Sequence, residues 1–312
     1  MNILVTGAAG FTGRQMMEFL AAQAGARPAG LVHRPVPDDV HTPNSLVVAD
    51  LLDRDGLRAA IEPIRPDAVI HLAGLTQGTT EALHTTNVTG TRNLLDEALA
   101  VNPDCRILVV SSSAVYGDAG DLPIPETAPT KPVGDYGRSK VAQEEVCQQF
   151  FEAGAAVTIA RPFNLAGPMQ SGSFLCGRIV DQVIRIEQKE STAIGLREII
   201  SSRDIIDVRD VVKGYWGLLS RPDFSGDCAG KVFNLGSGNA YPVSSIIALI
   251  GEITGTIYQV RLPEVHPEIA VHTQKSDNSR ITALTGWKPE ISLKETLADM
   301  LEAARGREPA HR

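Results

Sequence analysis

A basic surplus is missing from this chain. Its 312 residues carry 29 Lys and Arg against 37 Asp and Glu, a net charge of -8. That balance argues against a general nucleic-acid binder, whose phosphate partners demand the opposite sign. A local basic pocket for a small anionic ligand stays open. Cysteine is scarce as well, limited to Cys105, Cys147, Cys176 and Cys228. None forms a C-x-x-C pair and none stands at zinc spacing from a histidine. Reduced, mostly buried thiols are the expectation. No apolar run approaches the roughly 20 residues that span a bilayer. Repeats, low-complexity tracts and a linker between independent domains are absent too. Met1-Asn2-Ile3-Leu4-Val5 runs directly into a glycine loop, so it reads as a first strand and not as a signal peptide. The expectation is a soluble, cytoplasmic protein with neither nucleic acid nor membrane as partner.

What is there is an ordinary globular composition, 43% hydrophobic and 21% charged, in a chain long enough for a sizeable core. Apolar strand-like runs at residues 3–5, 29–33, 46–48, 67–73, 106–110 and 157–160 alternate with helical patterns at 13–22, 87–100 and 136–153. Such alternation predicts an α/β fold, a Rossmann-type doubly wound parallel sheet with ligands beyond the carboxyl ends of its strands. Beyond Pro162 the pattern loosens, with helices at 174–187, 208–219, 244–253 and 293–304. We read residues 1–163 as a dinucleotide-binding domain, with segments near 205–219 and 231–236 returning to its sheet. Residues 164–312 then form a smaller C-terminal substrate-binding lobe. Residues 118–132, rich in Pro, Gly and Asp, read as a surface loop.

Two motifs carry chemistry. Gly7, Gly10 and Gly13 stand as G-x-x-G-x-x-G in Thr6-Gly7-Ala8-Ala9-Gly10-Phe11-Thr12-Gly13, after a strand and before a helix. Glycines there permit a tight turn and close approach to a pyrophosphate, and the helix start supplies donors. Tyr136 and Lys140 stand four apart on a helix, one turn from each other on one face. An ammonium there is expected to favour the phenolate and to lower the tyrosine below its usual value near ~10. The second strand normally ends in an acidic residue for the ribose diol of NAD. Here His33-Arg34 stands in that region, and Arg34 can pair with a 2′-phosphate, with Arg14 assisting. NADP is therefore the expected cofactor, with NAD as the alternative. Ser112, just past a strand end, can hydrogen-bond a carbonyl oxygen or relay a proton.

These motifs stand among others: Asp50-Leu51, His71-Leu72-Ala73-Gly74, Asn87-Val88-Thr89-Gly90-Thr91, Arg161-Pro162-Phe163-Asn164, Arg203-Asp204 and Thr285-Gly286-Trp287-Lys288-Pro289. Together they resemble the extended short-chain dehydrogenase/reductase family, the NAD-dependent epimerases and dehydratases of nucleotide sugars, over nearly the whole chain. The resemblance implies Ser112, Tyr136 and Lys140 as the catalytic triad. It implies a cofactor site of Gly7, Gly10, Phe11, Thr12, Gly13, His33, Arg34, Asp50, Leu51, Leu72, Ala73, Gly74, Asn87 and Phe163, with Tyr136 and Lys140. Thr76, Ser112, Ser113, Asn164 and Arg203 would hold the nucleotide-sugar substrate. It also sets helices 87–100 and 136–153 side by side. Leu95, Leu99, Val146, Phe150 and Phe151 there exceed what the sheet can use, so a homodimer through a four-helix bundle is expected.

Within the family, the stretch from Arg161 to Gln170 is similar to the GDP-mannose dehydratase and GDP-4-keto-6-deoxymannose reductase branch. Dehydratases carry acidic residues where this chain has Ser113 and Ala114, so dehydration is not expected. The function implied is NADPH-dependent reduction of a nucleotide-linked keto sugar, of the GDP-4-keto-6-deoxyhexose type. A nucleotide-sugar 4-epimerase with tightly bound NAD is the alternative. A third reading is a non-catalytic NADP-sensing protein, a class that often loses the Tyr or Lys kept here. No metal is expected, since His266, Glu268 and His272 fit no ligand spacing. Asp207 and Asp210 read as a helix N-cap and its first turn, and Trp216 and Trp287 as packing residues.

Overall fold

The computed structural model describes residues 1–36, 46–265 and 269–306. The chain opens with β1 (Asn2–Thr6), α1 (Phe11–Ala21), β2 (Arg27–Val32), β3 (Leu46–Val48), α2 (Arg54–Ile61) and β4 (Ala68–His71). It continues with α3 (Thr80–His84), α4 (Gly90–Val101), β5 (Arg106–Val110), α5 (Gly134–Glu152), β6 (Val157–Pro162) and β7 (Asn164–Ala166). Next come α6 (Leu175–Glu187), β8 (Ile194–Gly195), β9 (Ser202–Asp207), α7 (Val208–Leu219), α8 (Phe224–Asp227) and β10 (Val232–Leu235). Last are β11 (Ala240–Pro242), α9 (Val243–Thr254), β12 (Val260–Arg261), α10 (Ser279–Thr285) and α11 (Leu293–Arg305).

Seven strands form one parallel sheet in the order β10-β6-β5-β4-β1-β2-β3. Side chains alternate across it. Ile3, Val5, Ile70, Leu108 and Phe233 join residues of α1 and α7 in one core. Leu4, Val69, Ile107, Val109 and Ile159 join residues of α2, α4 and α5 in another. Both faces are covered, which is why the strands read as unbroken apolar runs. The strand order reverses between β1 and β4, where Thr6 pairs with His71. At that reversal helices leave to opposite faces and a crevice opens beyond the strand ends. A third core gathers α6, α9 and α11 around Ile179, Val183, Ile246, Ile250, Leu297 and Leu301.

Two expectations need correcting. Among the described residues beyond Pro162, only β10 returns to the large sheet. The strand near residue 205 does not: β9 pairs with β7 and β11 in a separate three-stranded sheet. Beside β6 the edge is occupied by β10, and the chain leaving β6 offers a fresh edge at Asn164, which pairs with Ile205. The helix expected from residue 87 begins instead with a π-helical turn at Thr85–Thr89, and α4 starts at Gly90. Of the apolar residues that motivated a homodimer, part is covered within the chain. Leu95 is fully buried and Val146 nearly so. Leu99 and Phe150 pack against the core of the α2, α4 and α5 face. Phe151, the exposed one, lies with its ring over Gly230.

Candidate active site

The glycine loop bridges the end of β1 and the start of α1. Gly7 has φ +68°, and a Cβ on it would sit 2.9 Å from the Ala73 nitrogen. A Cβ on Gly13 would fall 2.1 Å from the Gly7 carbonyl oxygen, so helix and loop touch backbone to backbone. Gly10 is exposed and its N–H donates to that same carbonyl at 2.9 Å. No side chain caps α1 and no acid stands in its first turn. The amides of Phe11, Thr12 and Gly13 at the helix start are thus left for an outside acceptor, and the helix dipole favours an anion there. Phe11 reaches across to Gly167, its ring edge 3.5 Å from where a Cβ would stand. Arg14 is spent on the loop, donating through Nε to the Ala9 carbonyl at 2.9 Å.

His33 and Arg34 follow β2 immediately and are exposed. Among the described residues no hydrogen bond or ion pair holds the Arg34 guanidinium. Asp50, after β3, accepts from the Leu52 N–H at 2.9 Å and shapes the turn. Leu51 is buried, and its carbonyl accepts from Asn93 Nδ2 at 2.9 Å. Beyond β4, Leu72 and Ala73 are half-buried, while Gly74 and Thr76 are exposed. Asn87 pins this stretch. Its Oδ1 accepts from Leu75 N–H at 2.8 Å, and its Nδ2 donates to the Leu75 carbonyl and to Ser139 Oγ, both at 2.9 Å. These bonds join the β4 loop to α5 through the π-helical turn.

The three serines beyond β5 separate by partner. Ser111 donates to Glu144 Oε1 at 2.5 Å. Ser112 accepts from the Ala114 N–H at 3.2 Å and caps a short 3-10 turn. Ser113 is buried. A Cβ on Gly137 would lie 2.8 Å from the Ala114 carbonyl oxygen, so this glycine lets the turn rest directly on α5 beside Tyr136. Burial pushes the Tyr136 phenol above its ordinary value, and a hydrogen bond with Ser112 works against that shift. Lys140 is 5% exposed. Its Nζ donates to the Val110 carbonyl and to Gln143 Oε1, both at 2.9 Å. Burial lowers its pKa to about 8, opposed by Cys147 and Glu144. The expected lowering of Tyr136 by Lys140 is therefore not met in the chain alone. The ammonium is turned to Val110 and Gln143 and stands 6.0 Å from the centre of the Tyr136 ring.

Loop and helix meet here. A Cβ on Gly74 would be 3.6 Å from Lys140 Nζ. Asn164 donates through Nδ2 to the Asp204 carbonyl at 3.1 Å, and half-buried Arg203 donates to the Ser202 carbonyl at 3.0 Å. The Phe163 ring is buried with Val115, Tyr116 and Ile124, stacked on Tyr116 at 6.3 Å. Asp207 caps α7 by accepting from Arg209 N–H at 2.8 Å. Asp210 accepts from the Glu290 and Ile291 amides, and Trp287 donates to its carbonyl. All four cysteines are buried and unpaired. Among the described residues no three His, Cys, Asp or Glu gather as metal ligands. His266 and Glu268 lie outside the described residues, and His272 pairs with Asp118. Sequence reasoning missed an open pocket of about 440 Å³ beside the paired strands β8 and β12, lined by Arg178, Arg197 and Arg261. Its signal is a strand pairing, Gly195 with Arg261, between segments too short to read as strands.

Comparison with known proteins adds to this geometry. The model of the NAD dependent epimerase/dehydratase family matches residues 3–236. The chain is 33% identical to a GDP-6-deoxy-D-mannose reductase of Pseudomonas aeruginosa, over 96% of each chain. It is 28% identical to a dTDP-L-rhamnose 4-epimerase of Burkholderia thailandensis, over 96% of this chain and 93% of that one. In structure it is similar to RMD from Pseudomonas aeruginosa complexed with NADPH, with a TM-score of 0.84 and 32% identity, covering 97% of this chain and 98% of the other.

Proposed function

This chain belongs to the NAD dependent epimerase/dehydratase family, and from that premise we propose that it is an NADPH-dependent reductase. Its substrate would be a nucleotide-linked keto sugar of the GDP-4-keto-6-deoxyhexose type. One observation carries the choice of cofactor: exposed Arg34 stands just past β2, unpartnered among the described residues, where a carboxylate would otherwise bind a ribose diol. The residues fit such a ligand. The uncapped start of α1 and the glycine backbone suit a pyrophosphate, and Arg34 suits a 2′-phosphate. The likeness to a GDP-6-deoxy-D-mannose reductase supports the substrate class.

NADPH held there by the glycine loop and Arg34 would supply hydride for the carbonyl carbon of the sugar. Tyr136 then gives its phenolic proton to the carbonyl oxygen, and burial keeps that proton in place at neutral pH. Ser112 hydrogen-bonds the same oxygen as charge develops on it. Lys140 Nζ, held by Val110 and Gln143, lies 3.6 Å from where a Cβ on Gly74 would stand, so in this reading its remaining N–H serves the bound cofactor on that side. Thr76, Ser113, Asn164 and Arg203 hold the nucleotide sugar in this reading. Neither Ser113 nor Ala114 can exchange the protons of an elimination, so GDP-mannose would not be dehydrated. Work in the cytoplasm and assembly as a homodimer belong to the same proposal. No described helix is long and apolar enough to cross a membrane, and Leu99, Phe150 and Phe151 remain only partly covered.

The test is NADPH consumption, followed by absorbance, with GDP-4-keto-6-deoxymannose as substrate. Tyr136→Phe is expected to lose about a hundredfold or more in kcat while binding NADPH as the parent does. Near-parental turnover by Tyr136→Phe would refute the assignment. The 4-epimerase reading is kept alive by the Burkholderia thailandensis relative. NAD carried through purification and detected by mass spectrometry would select it.

A further inference from the structure

Behind Tyr136 and Lys140 runs a buried chain of hydrogen bonds that the proposed mechanism leaves unused. The Ala73 N–H donates to Thr6 Oγ1 at 3.1 Å. Thr6 Oγ1 lies 2.7 Å from His71 Nδ1, and His71 Nε2 lies 2.9 Å from Thr91 Oγ1. Gln143 Nε2 meets Thr91 Oγ1 at 2.7 Å, and Gln143 Oε1 meets Lys140 Nζ at 2.9 Å. Thr6, His71, Thr91 and Gln143 are wholly buried and Lys140 is 5% exposed.

Only one arrangement of hydrogens satisfies every member. Thr91 gives its own proton to the Asn87 carbonyl at 2.6 Å, and a carbonyl can only accept. Toward His71 and Gln143 the Thr91 oxygen must therefore accept, and its two lone pairs are filled by those two donors. His71 consequently carries its hydrogen on Nε2, and its Nδ1 accepts from the Thr6 hydroxyl. Burial, and after it the charge of Lys140, pushes His71 down to about 3, so the ring is neutral. Gln143 must present its amide nitrogen to Thr91, which leaves only its oxygen for Lys140. The orientation of that amide is set by the network rather than by its own rotamer.

We propose that Gln143 is a positioning residue for Lys140. Locked by Thr91 and His71, it holds the ammonium against the Val110 carbonyl and leaves the third N–H to serve a ligand on the Gly74 side. Two of the three donors on Nζ are satisfied within the chain, and Gly74 supplies the open approach. The functional meaning rests on the reading of Lys140 given above. The clamp itself rests on the bonds alone.

The titratable groups facing Lys140 are few. Tyr136, Glu144 and Cys147 come from its own helix, and His71 comes from β4. Glu144 is already paired with Arg161 of β6 and bonded by Ser111. Among the described residues, Gln143 is thus the one uncharged side chain that accepts a hydrogen bond from the ammonium. Replacing it should move the lysine titration without touching these charges.

The experiment follows the Lys140 side-chain signal by NMR across a pH titration of the full cofactor-free chain with labelled lysine, assigned with Lys140→Arg. Gln143→Met removes the acceptor while keeping the length of the side chain. Its Lys140 midpoint is expected to fall by about one unit. Gln143→Glu keeps an oxygen at the ammonium and adds a negative charge, so its midpoint is expected to rise. A residue that only filled space would leave the Gln143→Met midpoint at the parental value, and that result would overturn the proposal. Should Gln143→Met fail to fold, Gln143→Glu decides alone, because a midpoint unmoved or lowered there contradicts the clamp. NADPH affinity of the parent is measured beside it. Failure of the parent to bind NADPH would sink the functional reading while leaving the titration result to stand on its own.

Discussion

The glycine loop permits a prediction in which fold and ligand come apart. In Gly13→Ala the new methyl would lie 2.1 Å from the Gly7 carbonyl oxygen and 2.8 Å from Ala8 Cα. Both neighbours are backbone, so no side chain can swing aside. To reach an ordinary contact near 3.5 Å the turn must open by more than an ångström. Overpacking of that kind costs roughly 1–3 kcal/mol. At about 2 kcal/mol, Tm would fall by roughly 4–8 °C. Gly10→Ala differs in kind. Gly10 has φ -74° and ψ 173°, which alanine adopts freely, and its nearest neighbour is an oxygen at 3.1 Å. Only the weaker capping by alanine counts, about 0.5–1 kcal/mol. Yet its methyl would stand on the exposed mouth of the loop, where the proposed pyrophosphate sits. NADPH affinity should fall at least tenfold, about 1.4 kcal/mol. Urea denaturation gives the stabilities and calorimetric titration the affinities. Gly10→Ala binding NADPH as tightly as the parent would refute the pyrophosphate site. Gly13→Ala as stable as the parent would refute the steric argument.

The remaining predictions concern two charges. Arg34→Ala should erase most of the preference for NADPH over NADH while leaving NADH binding nearly intact, and equal affinities of the parent for both cofactors would contradict the pairing with a 2′-phosphate. Lys140 links stability to pH. Its value near 8 in the folded chain lies below that of an unfolded lysine, about 10.4, so the unfolded chain holds the extra proton between them. The contribution of this group is therefore fully present above about pH 10.4 and is lost as pH falls through 8. The stability of the parent relative to Lys140→Met should rise across that window by roughly 3 kcal/mol, and a flat difference in urea denaturation would show that the ammonium is not desolvated.

The sequence was most legible where one element answers to one local rule. Leu46–Val48, Arg106–Val110 and Val208–Leu219 appear with the bounds read from their apolar patterns, and the glycine spacing alone located the loop that Gly7 and Gly13 close by backbone contact. It failed where a partner elsewhere decides the outcome. Nothing local in Ser202–Asp207 says that its neighbours are β7 and β11 rather than β6. The π-helical turn that carries Asn87 keeps a helical pattern while widening by one residue, so periodicity cannot see it. Spacing put Tyr136 and Lys140 on one face, but the direction of the lysine head depends on Val110 and Gln143. Gln143 was invisible because its meaning comes from Thr91, a residue on another helix.

That misreading of the lysine bears on the choice between reductase and epimerase. An epimerase of this kind begins by taking a proton from a hydroxyl, so its tyrosine must start as phenolate. A reductase begins from a carbonyl and needs the phenol to give its proton. In the chain alone, burial holds Tyr136 above its ordinary value, with Ser112 opposing, and Lys140 is engaged elsewhere. The protonated tyrosine is thus the resting form, and it is the form that reduction consumes. To run the opposite way, the site needs a positive charge beside the phenol before the first step, which a bound oxidised nicotinamide would supply. The proposed pairing of Arg34 with NADPH fits the first case better, since a reductase must release its spent cofactor after each turnover and a 4-epimerase returns the hydride and need not.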